Sequence, residues 1–218
     1  MSRTLFEYLT FGAFIFLFAP LIVSIFKFIS FNFLQKRLLL LILVTVLVEV
    51  ISRILWYKQV NNLPVYHFYT VIEFLLIINV YRFELSKVFS KLFFIIISIG
   101  FVIFAIINTL FFQNLTTFNS NVTTLLGLIV IFFALSYFYA LLKEVKYRTL
   151  ESNPMFWINS GFLIYFSSNL ILFYMNNTLF KGVTEASLIL WGLHAIVNIV
   201  LTIFYTIALW VNPKKQNT

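Results

Sequence analysis

The sequence predicts an all-α fold, a polytopic transmembrane bundle of seven helices forming one domain over 1–218, with the N-terminus outside and the C-terminus cytoplasmic. Three observations lead there. Apolar runs close to the ~20 residues that cross a hydrocarbon core recur along the whole chain, separated only by short polar stretches. The composition, 62% hydrophobic and only 10% charged with a mean hydropathy of +1.01, lies well outside that of soluble globular domains. The Lys and Arg residues gather on one side of the alternation, and loops rich in them stay in the cytoplasm.

The first run, Leu5–Phe31, follows a single basic residue, Arg3, exceeds a typical signal-peptide core, and is closed by no small-x-small site. It reads as an uncleaved helix kinked at Pro20, whose lost hydrogen bond neighbouring helices can offset. The second run is Leu38–Tyr57. The third, Val65–Tyr81, starts just after Pro64 and is the shortest. Leu92–Phe112, Leu125–Leu142, Met155–Tyr174 and Ala186–Trp210 complete the set. The connections, QKR, KQVNNLP, RFELSK, QNLTTFNSN, KEVKYRTLESNP and NNTLFKGVTE, are too short to house a soluble domain.

One side carries Lys27, Lys36 and Arg37, then Arg82, Lys87 and Lys91, then Lys143, Lys146 and Arg148, and finally Lys214 and Lys215. The other carries Arg3, Lys58 and Lys181. Topology therefore explains the net charge of +8 and pI near 9.7 better than nucleic-acid binding does, and no nucleic acid is expected as a partner. With no cysteine there is no disulfide, thiol nucleophile or cysteine metal site. Asn114-Leu115-Thr116 and Asn121-Val122-Thr123 match a glycosylation pattern but read as ordinary loop polarity.

Ionisable groups within a bilayer cost about 2.5–3.5 kcal/mol each on insertion scales, so each needs a partner or a purpose. Here they are Glu49 and Arg53 in the second helix, His67 and Glu73 in the third, and His194 in the last, joined by Asn169 and Asn198. At ~1.5 Å per residue, Glu49, Glu73 and His194 lie about 12–13 Å below the outer ends of their helices, in one layer. Arg53 and His67 sit above it and Asn198 below. Glu49 and Arg53 are spaced for an ion pair on one helix. Tyr66, Thr70 and Glu73 share a face, as do Trp191, His194 and Asn198 with Thr202 and Tyr205. Ser160, Ser167 and Tyr174 form a seven-residue stripe, and each stripe is expected to face the bundle interior.

These positions define an expected outward-side polar pocket whose ligand-binding residues are Glu49, Arg53, His67, Thr70, Glu73, Asn169, Trp191, His194 and Asn198. A structural reading stands beside it. Glu49 and Arg53 neutralise each other and brace two helices, His67 has an interfacial role, and the asparagines and serines are interhelical hydrogen-bonding glue. The last helix has no lysine for a retinal Schiff base. With no Asp and no His-x-x-x-His pair a metal site is not expected, and no cofactor is expected either. No Walker-type glycine loop or nucleophile elbow occurs.

The strings NNLPVYHFYTVIEF at 61–74, NPMFWINSGFLIYFSSN at 153–169 and WGLHAIVNIVLTIFYTIALW at 191–210 resemble a group of uncharacterised bacterial seven-helix multi-pass membrane proteins of similar length. The resemblance covers most of the chain and implies fold and location, a bacterial cytoplasmic membrane, without an activity. In size and hydropathy the chain is also similar to small multi-pass accessory proteins of bacterial defence loci. Three functional readings follow. The first is a sensor or accessory protein that binds a small or lipid-like ligand and acts through a protein partner at its cytoplasmic loops. The others are a proton-coupled carrier using Glu73 and His194, and a membrane-embedded lipid-modifying enzyme. The absence of an effector domain favours the non-enzymatic reading.

Overall fold

The computed structural model describes residues 1–144, 150–179 and 185–211. It is an all-α bundle of seven helical spans, each long and apolar enough to cross a membrane. The first span is broken into α1 (Arg3–Phe16) and α2 (Ala19–Lys27). Then come α3 (Phe33–Tyr57), α4 (Leu63–Glu84), α5 (Lys91–Phe111), α6 (Ser120–Glu144), α7 (Pro154–Leu179) and α8 (Glu185–Trp210). The basic residues Lys146, Arg148, Lys181, Lys214 and Lys215 lie outside the described residues.

The expected kink at Pro20 is instead a break. A proline ring clashes with the carbonyl four residues back, here that of Phe16, and cannot donate to it. The helix stops at Phe16, Leu17 and Phe18 turn, and the chain restarts with Pro20 in the first turn of α2. There a helix lacks an internal acceptor for its N–H groups, so the missing donor is harmless.

Elsewhere the helices outrun their apolar cores. α3 begins at Phe33 rather than Leu38 because Asn32 and Gln35 form a capping box, with Asn32 Oδ1 accepting from the Gln35 amide at 2.9 Å and Gln35 Oε1 accepting from the Asn32 amide at 3.0 Å. α4 extends to Glu84 and takes up Arg82, so α5, at 21 residues against 22, is shorter than the span expected to be shortest.

α1 and α2 run parallel to α8. The Met1 amino group lies 3.1 Å from Glu185 at the start of α8, and Lys27 Nζ donates to the Trp210 carbonyl at its end. Asn61 bonded to the Thr116 carbonyl, and Asn177 to that of Phe118, gather the 58–62 and 112–119 connections at the end where α8 begins. At the opposite end Gln35 donates to the Val211 carbonyl at 2.9 Å. There too Arg37 donates to the Asn79 carbonyl at 2.8 Å, its guanidinium stacked on Phe33 and Phe83.

Lipid tails are as apolar as these side chains, so helix association relies on close packing and interhelical hydrogen bonds. Phe74 of α4 stacks on Phe101 of α5 at 3.7 Å, and Phe94 on Phe133 of α6 at 5.3 Å. Buried Tyr81 donates to Asn159 Oδ1 at 2.7 Å while Asn159 Nδ2 donates to the Ala134 carbonyl at 3.1 Å, tying α4 to α7 and α7 to α6. Gly161 lets α7 approach α8 so closely that a Cβ there would lie 2.9 Å from Phe204 Cβ.

One stripe is not where the spacing placed it. Ser167 and Tyr174 are exposed and Ser160 half-buried. The buried face of α7 carries Met155, Ile158, Asn159, Phe162, Phe166 and Asn169 instead. Ser160 and Ser167 donate to carbonyls four residues back in their own helix, which satisfies each hydroxyl without an interhelical partner.

Candidate functional site

On α3, Thr45, Glu49 and Arg53 recur every fourth residue and so share one face. On α8, Trp191, His194, Ala195, Asn198 and Thr202 likewise share one face. The broken first span supplies Phe6, Thr10, Ala13, Phe14 and Leu17, and α4 contributes Tyr66. Together these side chains enclose a cavity of about 220 Å³. That is below the range typical of drug-sized ligand sites, and suits a small polar molecule or one end of a larger amphiphile. α1 forms its outer wall and has no fully buried residue of its own.

No salt bridge joins Glu49 and Arg53 among the described residues, contrary to what their spacing suggests. Arg53 reaches instead to α1, donating from Nη2 to the Thr10 carbonyl at 2.9 Å and stacking its guanidinium 4.2 Å from the centre of the Phe14 ring. Its Nε is buried with no hydrogen-bond partner. Glu49 is oriented from α4. Tyr66 Oη donates to it at 3.2 Å, Ser52 Oγ donates to Tyr66 at 2.9 Å, and Asn62 Nδ2 donates to Ser52 at 2.6 Å. Tertiary partners on two other helices have outcompeted the local pair.

His194 is clamped on both sides. Asn198 Nδ2 and His194 Nε2 are 2.9 Å apart, and since the amide nitrogen can only donate, Nε2 accepts. His194 Nδ1 therefore carries the hydrogen and donates to Asn169 Oδ1 at 2.9 Å, while Asn169 Nδ2 donates to the Tyr165 carbonyl at 2.8 Å. The ring is neutral, with both nitrogens engaged. Trp191 packs edge-on against it at 5.1 Å.

Glu73 does not line this cavity. It lies 3.2 Å from Tyr69 Oη, which lies 2.8 Å from the hydroxyl of the cavity residue Thr45. Asn169 also lies behind the wall, acting through His194. His67 and Thr70 belong to another part of α4. His67 is buried, with Nε2 2.9 Å from the Thr117 carbonyl and Nδ1 3.4 Å from Thr109 Oγ1, so it staples α4 to the end of α5 and the following connection. Thr70 is buried and donates to the Tyr66 carbonyl at 2.8 Å.

Of the nine expected residues, Glu49, Arg53, Trp191, His194 and Asn198 thus meet at one cavity, Glu73 and Asn169 are one or two hydrogen bonds behind it, and His67 and Thr70 are apart. Thr45, Ser52, Asn62 and Tyr69, and Thr10 on the facing helix, join the site without having been expected there. The signal for Thr45 and Tyr69 was present, since each lies four residues before one of the glutamates. Asn114 Oδ1 accepts from Thr116 within the connection, whereas Asn121 stands in the first turn of α6 rather than in a loop and donates to Asn108 Oδ1 at 2.8 Å.

The chain matches no family model, no curated protein and no solved structure.

Proposed function

We propose that this chain is a non-enzymatic sensor or accessory protein of a bacterial cytoplasmic membrane, binding a small or lipid-like ligand in the cavity between α1, α3 and α8. The observation that carries this reading is the convergence of Glu49, Arg53, His194 and Asn198 on one cavity, with a buried guanidinium nitrogen left without a partner beside it. A buried unsatisfied donor costs about 1–3 kcal/mol, and more on a charged group, which an anionic or carbonyl group of a ligand would recover. Glu49 supplies an acceptor on the same wall and Trp191 an apolar face. With both nitrogens engaged, His194 orients a ligand rather than serving as an acid or base.

α1 is the natural responding element, because Arg53 is its polar tether to α3 and its Phe6, Thr10, Ala13 and Phe14 line the cavity. Occupancy that draws the guanidinium toward the ligand would loosen α1 at Thr10, and the basic cytoplasmic loops would pass the change to a partner protein. The test is native mass spectrometry of the protein released from nanodiscs of native lipid extract, with Arg53→Met and Glu49→Gln beside wild type. A co-purifying small molecule or lipid that both variants lose supports the reading. Identical bound species in all three, with the variants folded, refutes it.

A further inference from the structure

Four oxygens line up on the α3–α4 interface: the Leu41 carbonyl, Thr45 Oγ1, Tyr69 Oη and Glu73 Oε1, separated by 2.9, 2.8 and 3.2 Å. The carbonyl only accepts, and each hydroxyl supplies one hydrogen. Three hydrogen bonds at once need three hydrogens, and the third can come only from a protonated Glu73. In that arrangement Glu73 donates to Tyr69, Tyr69 to Thr45, and Thr45 to Leu41. With Glu73 ionised, Tyr69 donates to the carboxylate, Thr45 turns to Tyr69, and the Leu41 carbonyl keeps only its helix bond. The two arrangements differ by one proton and the turning of two hydroxyls. The thread that ends on Glu49 is different, since Asn62, Ser52 and Tyr66 supply a hydrogen for every contact with the carboxylate ionised.

We infer that Glu73 is a proton-binding site loaded from the cavity through the paired hydroxyls of Thr45 and Tyr69. Thr45 is the member of the thread that lines the cavity. A hydronium ion or weak acid there gives a proton to Thr45 Oγ1 and stays in the cavity as water or its conjugate base, the hydrogen of Thr45 passes to Tyr69 Oη, and the hydrogen of Tyr69 passes to Glu73 Oε1. At each hydroxyl one O–H bond forms and one breaks, so the net change is a single proton on the carboxylate. Among the described residues, the groups facing Glu73 are Tyr69 on its own helix, Glu49 on α3, Tyr165 on α7 and Tyr205 on α8, none of them cationic. Proton uptake therefore removes an intramembrane charge that no cation compensates. The inference uses the cavity as a route for water and does not depend on a ligand occupying it.

Infrared spectroscopy of the protein in nanodiscs, with no ligand added, tests this. Wild type is expected to show a protonated carboxyl band that shifts on ¹³C-glutamate labelling, vanishes in Glu73→Gln and survives in Glu49→Gln. Transfer to D₂O should exchange that band more slowly in Tyr69→Phe and Thr45→Val, on the order of a hundredfold, the low end of what a positioned proton-transfer group contributes. The inference is overturned by the absence of a glutamic acid band in wild type, by its persistence in Glu73→Gln, or by wild-type exchange rates in both hydroxyl variants. If Glu73→Gln fails to fold, Tyr69→Phe and Thr45→Val still test the inference, because a carboxyl not reached through those two hydroxyls would exchange at the wild-type rate in both.

Discussion

Replacing Gly161 by alanine tests the closest approach between α7 and α8. The added Cβ would stand 2.9 Å from Phe204 Cβ and 3.1 Å from Leu201 Cδ1. Carbon atoms pack best at about 3.5–4.0 Å, so α8 must withdraw by roughly 0.6–1.1 Å. Phe204 Cβ is fixed to its backbone, so no rotamer change relieves the contact. Overpacking of this kind costs about 1–3 kcal/mol, whereas alanine in place of a helical glycine gains about 1 kcal/mol. Gly100→Ala supplies the control, because nothing lies within 4 Å of a Cβ there and it shares the propensity gain. The two variants should therefore differ by about 1–3 kcal/mol, with Gly161→Ala the less stable. Reversible unfolding in mixed micelles titrated with a denaturing detergent measures that difference. Equal stabilities would refute the packing argument. The same withdrawal would lengthen the 2.9 Å bond between His194 and Asn169, so Gly161→Ala should also weaken any ligand held at the cavity.

Three further outcomes are expected. Asn198→Leu leaves His194 Nε2 without its donor and should cost about 1–3 kcal/mol in the same unfolding assay. His67→Phe should cost a similar amount, about 1–3 kcal/mol, through the unpaired Thr117 carbonyl and Thr109 hydroxyl. It should leave the co-purified species seen by native mass spectrometry unchanged, because His67 does not line the cavity. Tyr81→Phe removes the hydroxyl donating to Asn159 at 2.7 Å between α4 and α7 and should lower stability by about 1–2 kcal/mol, read as an earlier thermal transition.

The helices were legible because each depends on a property of a continuous segment. A run of apolar residues long enough to cross a hydrocarbon core identifies itself without reference to any other part of the chain, and the seven spans stand where those runs stand. Their ends were less legible. The Asn32–Gln35 capping box carries α3 five residues past its apolar run, and the Phe16 carbonyl, rather than Pro20 itself, marks where the first span breaks. Depth along a helix was legible too, since rise per residue is constant. That is why Glu49 and His194 could be placed together before any contact between α3 and α8 was known.

The sequence by itself determined an all-α chain of seven apolar spans and the depth of its polar groups. Only the tertiary structure decided which way those groups turn and what they bond. Arg53 passes over Glu49 for the Thr10 carbonyl and Phe14, His67 turns to Thr117 instead of the cavity, and the Ser167 stripe faces outward. Helical periodicity fixes which residues share a face but not which neighbour that face meets. A buried donor or charge is satisfied by the best-placed acceptor on any packed helix, and that competition is settled only when the helices are assembled.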